Sequence, residues 1–189
     1  MKKNYVSNIV LSALLCSIGI IIPTFSPYKI ILEPASFTLG SHIAIFLAMF
    51  ISPSVAFTVS VGTTLGFLLG GFPIVIVFRA ATHVVFALTG ALLLRKNPTL
   101  IKTPAKTVLF ALGIGIIHAV CEVFVVMPFY FGNNMASAYY AKGFMISVLL
   151  LVGLGTVVHS IVDFTMSIII WKAVSASRGR AVNTTATKT

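Results

Sequence analysis

Charged residues are scarce in this sequence, and acidic ones are the scarcest. Asp and Glu number three among 189 residues, charged residues of all kinds make up 8%, and hydrophobic residues make up 58%. A soluble domain could not bury that much apolar surface, so the composition excludes an ordinary globular protein and indicates an integral membrane protein. A membrane-spanning helix needs roughly 20 apolar residues, so six of them nearly exhaust the chain and leave no room for a soluble domain.

The motifs of several catalytic classes are missing as well. The sequence contains no GxxxxGK[ST] phosphate-binding loop, no GxSxG nucleophile motif and no HExxH metal motif. Cys16 and Cys121 lie in apolar runs without neighbours that would activate a thiolate, and they fit small packing residues better than a disulfide. We therefore expect neither enzymatic activity nor a cofactor, and energy for any uphill transport would come from another protein.

Hydropathy predicts an all-α integral membrane protein with six spanning helices. Pro23 ends the first, a Ser-Pro pair at 52–53 turns the second into the third, and Gly-Gly-Phe-Pro at 70–73 turns the third into the fourth. The predicted membrane domain covers 1–174, and a basic tail at 175–189 follows it. The predicted spans are 6–22, 41–51, 55–69, 73–94, 107–127 and 144–171.

Basic residues indicate which way these helices cross. If all six spans cross, ten Lys and Arg residues fall on the side of the termini, Lys29 and Lys142 fall on the other, and Arg79 lies within a span. Because cytoplasmic loops carry the excess of Lys and Arg, both termini are predicted to be cytoplasmic, and the long loops 23–40 and 128–143 face outside. The same bias explains the net charge of +10 without a nucleic-acid partner.

Ionisable residues occur within three of the spans, in pairs whose members are four residues apart. This spacing puts both members on one face of a helix, and ionisable residues inside a bilayer are costly and usually functional. Three polar faces are therefore expected to converge on the interior of the bundle. The pairs are Arg79 and His83, His118 and Glu122, and His159 and Asp163.

The first two pairs are predicted to lie at the same depth, about 9–15 Å below the outer mouth at 1.5 Å per residue. They suggest a polar pocket open to the outside, in which Arg79 binds a carboxylate, Glu122 is its counter-ion, and the histidines hydrogen-bond or titrate. Alternatively, Arg79 and Glu122 form a static buried salt bridge. The third pair, His159 and Asp163, is expected deeper, in the cytoplasmic half, either fastening helices together or taking part in function.

The segment EPASFTLGSHIAIFLAMFISP, 33–53, is half polar and too short in its apolar part to cross a bilayer. Its first half is predicted to be a lid over the pocket, and the loop FGNNMASAYYAKG is predicted to close the other side. A belt at the membrane interface is the alternative role for the tyrosines. The predicted ligand-contacting residues of these two loops are Glu33, Ser36, His42, Asn133, Asn134 and Tyr139.

Small residues form ridges on two helices. Ala13 and Ser17 are one such pair on the first span, and Gly62, Gly66 and Gly70 follow the same spacing on the third. Such ridges let helices approach closely in lipid. The glycine ridge is expected to serve internal packing, whereas the ridge on the first span either packs internally or docks a partner membrane protein.

Six short spans in 189 residues, termini on the inside, no ATPase motif, a long outer first loop and a small-residue ridge on helix 1 resemble the S components of energy-coupling factor (ECF) transporters. These are vitamin-capture subunits in the bacterial cell membrane. The resemblance covers nearly the whole chain, and the segments PASFTLGSHIAIFLAMFISP and GTTLGF are most similar to the niacin-specific S component.

The resemblance implies that the chain binds a vitamin from outside, between loop 1 and the outer halves of helices 4 to 6. It also implies association with a transmembrane coupling protein and two ATPase subunits, and toppling of the S component in the membrane to release its cargo inside. Arg79 would suit the carboxylate of niacin. The AxxxA docking motif of the family corresponds to Ala13 and Ser17, with serine in place of the second alanine.

Three alternatives stay open at the level of the sequence. The first is an S component for pyridoxine or a hydroxymethylpyrimidine, neither of which needs a carboxylate clamp. The second is a stand-alone proton-coupled secondary transporter, for which His159 and Asp163 are the best support. The third is a membrane enzyme whose histidines and acids hold a metal ion.

Overall fold

The architecture comes from a computed structural model that describes the backbone of residues 2–32 and 35–186 and the side chains of residues 5–28 and 37–177. Helices dominate it, and one short β-hairpin lies between the first two helices. In chain order the elements are α1 (Lys2–Phe25), β1 (Lys29–Leu32), β2 (Ala35–Thr38), α2 (Ile43–Ile51), α3 (Pro53–Leu69), α4 (Ile74–Lys96), a 3₁₀ turn (Pro98–Ile101), α5 (Pro104–Phe131), α6 (Ser137–Ala141), a π-helical segment (Met145–Leu154) and α7 (Gly155–Ala186).

Four stretches of the described chain are helical, long enough and apolar enough to cross a membrane. They are Tyr5–Phe25, Ile74–Lys96, Pro104–Phe131 and Met145–Ser177. Helix α3 is apolar but shorter, with 17 residues, and α2 has only nine. At 1.5 Å per residue α2 is about 14 Å long, which is half of the roughly 30 Å hydrocarbon core.

The short helix α2 lies in the interior of the bundle rather than at its edge. Its residues are apolar on every side, and most of them are buried, including Phe46 and Met49. The ring of Phe46 lies 5.5 Å from that of Phe86 on α4 and 5.3 Å from that of Phe164 on α7, measured between centroids. A helix that is hydrophobic all round is typically a core helix, and here it fills the centre that the longer helices surround.

Helix α2 ends at a sharp turn that the sequence encodes locally. Ser52 is extended, its Oγ accepts a hydrogen bond from the backbone N–H of Val55 at 3.3 Å, and Pro53 occupies the first position of α3. Serine at the N-cap followed by proline is the preferred start of a helix, because the proline has no N–H to leave unpaired. The predicted break between the second and third spans is therefore a capped helix start.

Helices α1 and α3 pack closely through glycine. A Cβ atom at Gly62 would lie 2.5 Å from Sγ of Cys16, and a Cβ at Gly66 would collide with the side chain of Ile20. The glycine ridge of α3 therefore serves internal packing, as its spacing suggested. Ala13 and Ser17 border this contact on α1, and both are exposed.

The loop between α1 and α2 contains structure that hydropathy does not predict. Strands β1 and β2 pair antiparallel, with Lys29 opposite Thr38 and Leu32 opposite Ala35. After β2 the chain turns at Gly40, whose positive φ of 81° favours glycine, and then enters α2. Phe37 packs against the backbone of Gly155, where a Cβ would lie 2.6 Å from its ring. The hairpin is thus held against the start of α7.

The last membrane helix departs from regular α-helix along its first ten residues. Met145–Leu154 forms a π-helical segment that continues directly into α7. Wider turns rise less per residue, so residues that follow this segment lie closer to its start than an α-helical count suggests. Helix α7 then runs to Ala186, which includes most of the predicted basic tail.

Candidate functional site

A cavity of about 230 Å³ lies where the hairpin loop meets helices α1, α3, α4, α5 and α7. Its apolar wall includes Phe37, Phe67 and Phe72, and the last two stack with their ring centroids 4.6 Å apart. Its polar wall combines one guanidinium, one carboxylate, four imidazoles and several hydroxyls. The polar lining residues are Thr38, Ser41, His42, Thr63, Arg79, His83, His118, Glu122, Thr156 and His159.

An ion pair between α4 and α5 forms one side of this cavity. Nη2 of Arg79 donates to Oε2 of Glu122 at 2.8 Å, and the same oxygen accepts from the hydroxyl of Thr156 at 2.7 Å. The Glu122 side chain is almost fully buried, at 4% exposed. A buried carboxylate needs such partners, because water is not available to solvate it.

The guanidinium of Arg79 keeps hydrogen-bonding capacity that the ion pair does not use. Its Nε is buried and has no hydrogen-bond partner among the described residues. An unpaired buried donor costs roughly 1–3 kcal/mol, so a bound acceptor at this position would be favoured. Arg79 can therefore hold Glu122 and present a donor to a solute in the cavity.

Two histidines lie beside the carboxylate of Glu122. Nε2 of His118 is 3.3 Å from Oε1, and Nε2 of His83 is 3.9 Å from the same oxygen, but neither contact has hydrogen-bonding geometry. The other ring nitrogen of His118, Nδ1, is 2.7 Å from the hydroxyl of Ser160 on α7. This contact fixes the orientation of the His118 ring, which is completely buried.

Asp163 on α7 holds the loop that follows the hairpin. Oδ1 accepts from the backbone N–H of Gly40 at 2.8 Å, and Oδ2 accepts from the backbone N–H of His42 at 2.9 Å. Oδ2 also lies 3.1 Å from Nδ1 of His42 and 3.3 Å from Nε2 of His159. The carboxylate thus fixes both the backbone and the imidazole of His42, which the chain places in the centre of the bundle.

The prediction that His159 lies deeper than the pocket of the other two pairs is wrong, whereas Asp163, one helical turn further along α7, does not line the cavity. His159 lines the same cavity as Arg79, and its ring centroid is 5.0 Å from that of His42. Two features explain the difference. The π-helical segment shortens the distance along the last helix, and His42 descends from the loop to bridge the three helix pairs.

The loop between α5 and α7 does not contribute the predicted amide contacts. Asn133 and Asn134 are exposed and do not line the cavity. Instead they end α5: the N–H of Asn134 bonds to the carbonyl of Phe129, that of Asn133 bonds to Tyr130, and Asn133 has a positive φ of 59°. This is the Schellman arrangement, in which asparagine can take the left-handed position.

The remaining predicted ligand contacts are those of Tyr139, Glu33 and Ser36. Tyr139 packs beside Val126 and Val148 rather than lining the cavity. Burial raises the pKa of its phenol, which therefore stays protonated and can donate a hydrogen bond. Glu33 lies outside the described residues, as does the side chain of Ser36.

Several polar residues of the site were missed by the sequence analysis. The hydroxyl of Thr156 donates to Glu122, and the hydroxyl of Ser160 contacts Nδ1 of His118. Oγ of Ser41 lies 3.0 Å from Nε2 of His159. The sequence held a signal for the first two, because Thr156, Ser160 and Asp163 follow each other at helical spacing. All three are buried in the structure. Ser41 carried no such signal, since its place depends on the path of the loop.

A comparison with known proteins bears on this site. The niacin transporter NiaX of Lactococcus lactis subsp. cremoris (strain MG1363) is 38% identical to this chain over 167 residues, which cover 88% of this chain and 74% of the relative. The chain belongs to the family of this niacin transporter. The resemblance to the niacin-specific S component, inferred from the sequence, is thereby confirmed. No family model matches the chain, and no solved structure matches it.

Membership of this family makes the chain a multi-pass membrane transport protein, in agreement with its apolar helices. The polar cavity is then a place where a small solute can be bound inside the bundle. Its chemistry is that of a guanidinium with a spare donor, a buried carboxylate and several imidazoles. These groups suit a small anion that carries an aromatic or heteroaromatic ring.

Proposed function

We propose that this protein is the niacin-binding S component of an ECF importer, and that the vitamin occupies the cavity beside Arg79. The observation that carries the proposal is the unpaired Nε of Arg79, a buried cationic donor at the edge of a ring-sized cavity. Niacin is a pyridine with one carboxylate, so it offers the acceptor that this donor lacks. The relative named as a niacin transporter supports the same solute.

Size and surroundings favour a single heteroaromatic ring. The cavity volume of about 230 Å³ is below the roughly 300 Å³ at which sites for drug-sized ligands begin. Phe67 and Phe72 offer an apolar wall, and the imidazoles of His83 and His118 offer polar edges. A pyridine ring can contact both walls while its carboxylate reaches the guanidinium.

In this proposal Glu122 keeps Arg79 in place rather than competing with the vitamin. Its Oε2 holds one terminal nitrogen of the guanidinium and is itself held by Thr156. The planar guanidinium has five N–H donors, so it can serve two carboxylates at once. The site is then organised before the vitamin arrives, which reduces the entropy lost on binding.

We further propose that six helices cross the bacterial cell membrane with both termini in the cytoplasm. The bias of ten basic residues on one side against two on the other supports this orientation. It requires α2 and α3 to be two separate crossings, although both helices are short. The loop and hairpin that precede α2 would then cover its outer end. The cavity then faces the outside, in keeping with capture of a vitamin from the medium.

As the resemblance to ECF S components implies, we propose that import requires a coupling membrane protein and two ATPase subunits; this chain itself contains no GxxxxGK[ST] motif. We propose that the coupling protein docks on α1 at Ala13 and Ser17. Both residues are exposed, whereas Cys16 and Ile20 of the same helix contact α3. Small exposed residues allow a second helix to approach closely in lipid.

The test is calorimetric titration of the detergent-purified protein with niacin, nicotinamide and pyridoxine. We expect niacin to bind tightly and nicotinamide, which lacks the charge, to bind at least about 30-fold more weakly, since a buried charge pair is worth roughly 2 kcal/mol or more. Arg79→Ala should weaken niacin binding by a similar factor. Arg79→Lys should restore only part of it, because lysine keeps the charge without the planar set of donors.

Arg95→Ala is the matched control, since Arg95 lies on the same helix but is exposed at its end. It should leave niacin affinity unchanged. Equal affinities for niacin and nicotinamide would contradict the carboxylate contact. Tighter binding of pyridoxine than of niacin would instead assign the chain to another vitamin of similar size.

A stand-alone proton-coupled transporter is the second candidate, supported by the buried network of His42, His159 and Asp163. It is separated from the first by uptake into vesicles that contain this chain alone. Accumulation of niacin driven by a pH gradient, without ATPases, would favour the second candidate. Accumulation that needs the coupling protein, the ATPases and ATP would favour the first.

A further inference from the structure

Four imidazole rings from four separate elements meet in the lining of the cavity. His42 comes from the loop before α2, His83 from α4, His118 from α5 and His159 from α7. The ring centroid of His42 is 4.8 Å from those of His83 and His118 and 5.0 Å from that of His159. The centroids of His83 and His118 are 4.9 Å apart. Every histidine of the chain takes part in this cluster.

Some ring nitrogens of the cluster have hydrogen-bond partners, and others have none among the described residues. Nδ1 of His42 is engaged by Asp163, and Nδ1 of His118 is engaged by Ser160. Nε2 of His118 and Nε2 of His83 are buried and have no hydrogen-bond partner among the described residues. His118 is fully buried and His83 is 7% exposed, so bulk water does not compensate these atoms. Their nearest charged group is Oε1 of Glu122, at 3.3 Å from His118 and 3.9 Å from His83, and buried imidazole nitrogens that make no hydrogen bond require an explanation.

We propose that His42, His83 and His118 bind a divalent transition-metal ion of the zinc class. One nitrogen from each of the three rings lies within 4.8 Å of the others. Zinc binds imidazole nitrogen at roughly 2.0–2.1 Å, so tetrahedral ligands stand about 3.4 Å apart. The nitrogen–nitrogen distances, at most 4.8 Å, would have to shorten by at most about 1.4 Å to reach this value. Small rotations about the side-chain torsions can supply that change. The ion would lie in the same cavity as the proposed vitamin, since His83 and His118 line it, but the proposal does not depend on which solute is transported.

The groups behind two of the three rings are those that metal sites use. A ligating histidine commonly gives its second ring nitrogen to a carboxylate or another acceptor, which fixes the ring and its tautomer. Asp163 does this for His42, and Ser160 holds the second nitrogen of His118. Three histidines with one open position facing a cavity are the usual arrangement of an accessible zinc site.

The charge of the region also favours a cation. The ion pairs of the described side chains contain two negative charges, on Glu122 and Asp163, and one permanent positive charge, on Arg79. Protonating several imidazoles at once would offset this, but neighbouring positive rings at 4.8–5.0 Å repel each other. One divalent ion satisfies three nitrogen lone pairs and supplies the missing positive charge together.

The chain gives no sequence motif for this site, because its three ligands come from three distant segments. Motifs such as HExxH detect ligands that share one helix. Here each histidine lies on a different element, and the loop brings in the first of them. The absence of such a motif, on which the expectation of no metal was based, therefore does not exclude a site built from three separate elements.

The experiment uses the full-length protein, purified through a tag without histidine, stripped with chelator and freed of it. Zn²⁺ is titrated calorimetrically, and Co²⁺ is titrated while its visible absorption is recorded, both without vitamin. We expect about one ion per chain, with the intense absorption of tetrahedral Co²⁺. His118→Ala and His83→Ala should each lower the affinity by more than 100-fold, and Asp163→Asn by roughly 10- to 100-fold.

Cys121→Ser is the control, because it removes a thiol close to Glu122 and should leave metal binding unchanged. His118→Gln, which is closer in size to histidine, serves if His118→Ala does not remain monodisperse. Absence of ion binding to the wild-type protein would overturn the proposal. So would binding that survives His83→Ala but is lost in His159→Gln, since the ion would then lie between His42, His159 and Asp163.

Discussion

Replacing Asp163 by asparagine should release the loop that carries His42 into the bundle. The carboxylate accepts hydrogen bonds from the backbone N–H groups of Gly40 and His42, at 2.8 and 2.9 Å, and contacts Nδ1 of His42 at 3.1 Å. Asparagine has one acceptor oxygen, so its NH₂ group must face one of these donors. The backbone of the loop then loses at least one charge-assisted hydrogen bond and gains an unpaired donor.

The size of the effect follows from these contacts. A hydrogen bond to a charged group contributes roughly 1.5–3 kcal/mol, and an unpaired buried donor costs roughly 1–3 kcal/mol more. Part of this is recovered when the loop moves away, so we take about 3 kcal/mol as the loss of local stability. Since 1.4 kcal/mol is a factor of ten, local opening of the loop should become roughly 100-fold more frequent.

Hydrogen–deuterium exchange measured by mass spectrometry detects this opening. Peptides covering 39–46 should exchange roughly 100-fold faster in Asp163→Asn, whereas peptides from α3 should be unchanged. Thr165→Ala is the matched control, because Thr165 lies on the same helix, is exposed, and its hydroxyl donates to the carbonyl of Ile161. Unchanged exchange of 39–46 in Asp163→Asn would refute the anchoring role of this carboxylate.

Three further predictions concern other contacts. Gly66→Leu should separate α1 from α3, because even a Cβ there collides with Ile20, and it should lower the midpoint of thermal unfolding in detergent, whereas a similar change at exposed Gly113 should not. Ser17→Trp should abolish co-purification with a coupling protein and ATPases while niacin affinity stays the same; loss of both would mean that Ser17 serves folding. Glu122→Gln should destabilise the vitamin-free protein by roughly 3–5 kcal/mol, because the buried guanidinium loses its counter-ion. Niacin should then raise its unfolding temperature more than that of the wild type, and an equal rise would argue against a carboxylate at Arg79.

The amino-acid sequence alone determines the class of this protein and much of its polar interior. Composition leaves a membrane bundle as the only way to bury the apolar residues. The i,i+4 spacing places Arg79 with His83 and His118 with Glu122, and equal counts along two neighbouring helices put the pairs at one level. In the structure Nη2 of Arg79 lies 2.8 Å from Oε2 of Glu122. These inferences work because helix geometry is regular, so position along the chain converts into depth and face.

Tertiary structure decides what the regular geometry does not contain. Asn133 and Asn134 end a helix instead of covering the cavity, because helix termini need caps and the left-handed position suits asparagine. A π-helical segment changes the depth of His159, and periodicity gives no sign of it. Such features depend on how neighbouring elements pack.

The central histidine cluster depends most on tertiary structure. His42 belongs to a loop whose path is set by a hairpin, by a turn at Gly40 and by a carboxylate 121 residues away in the chain. No local pattern in the sequence encodes a contact of that range. The residues with the richest chemistry are all present in the sequence, but the loop that joins them acquires its position only when α7 folds against it and Asp163 accepts its backbone hydrogen bonds.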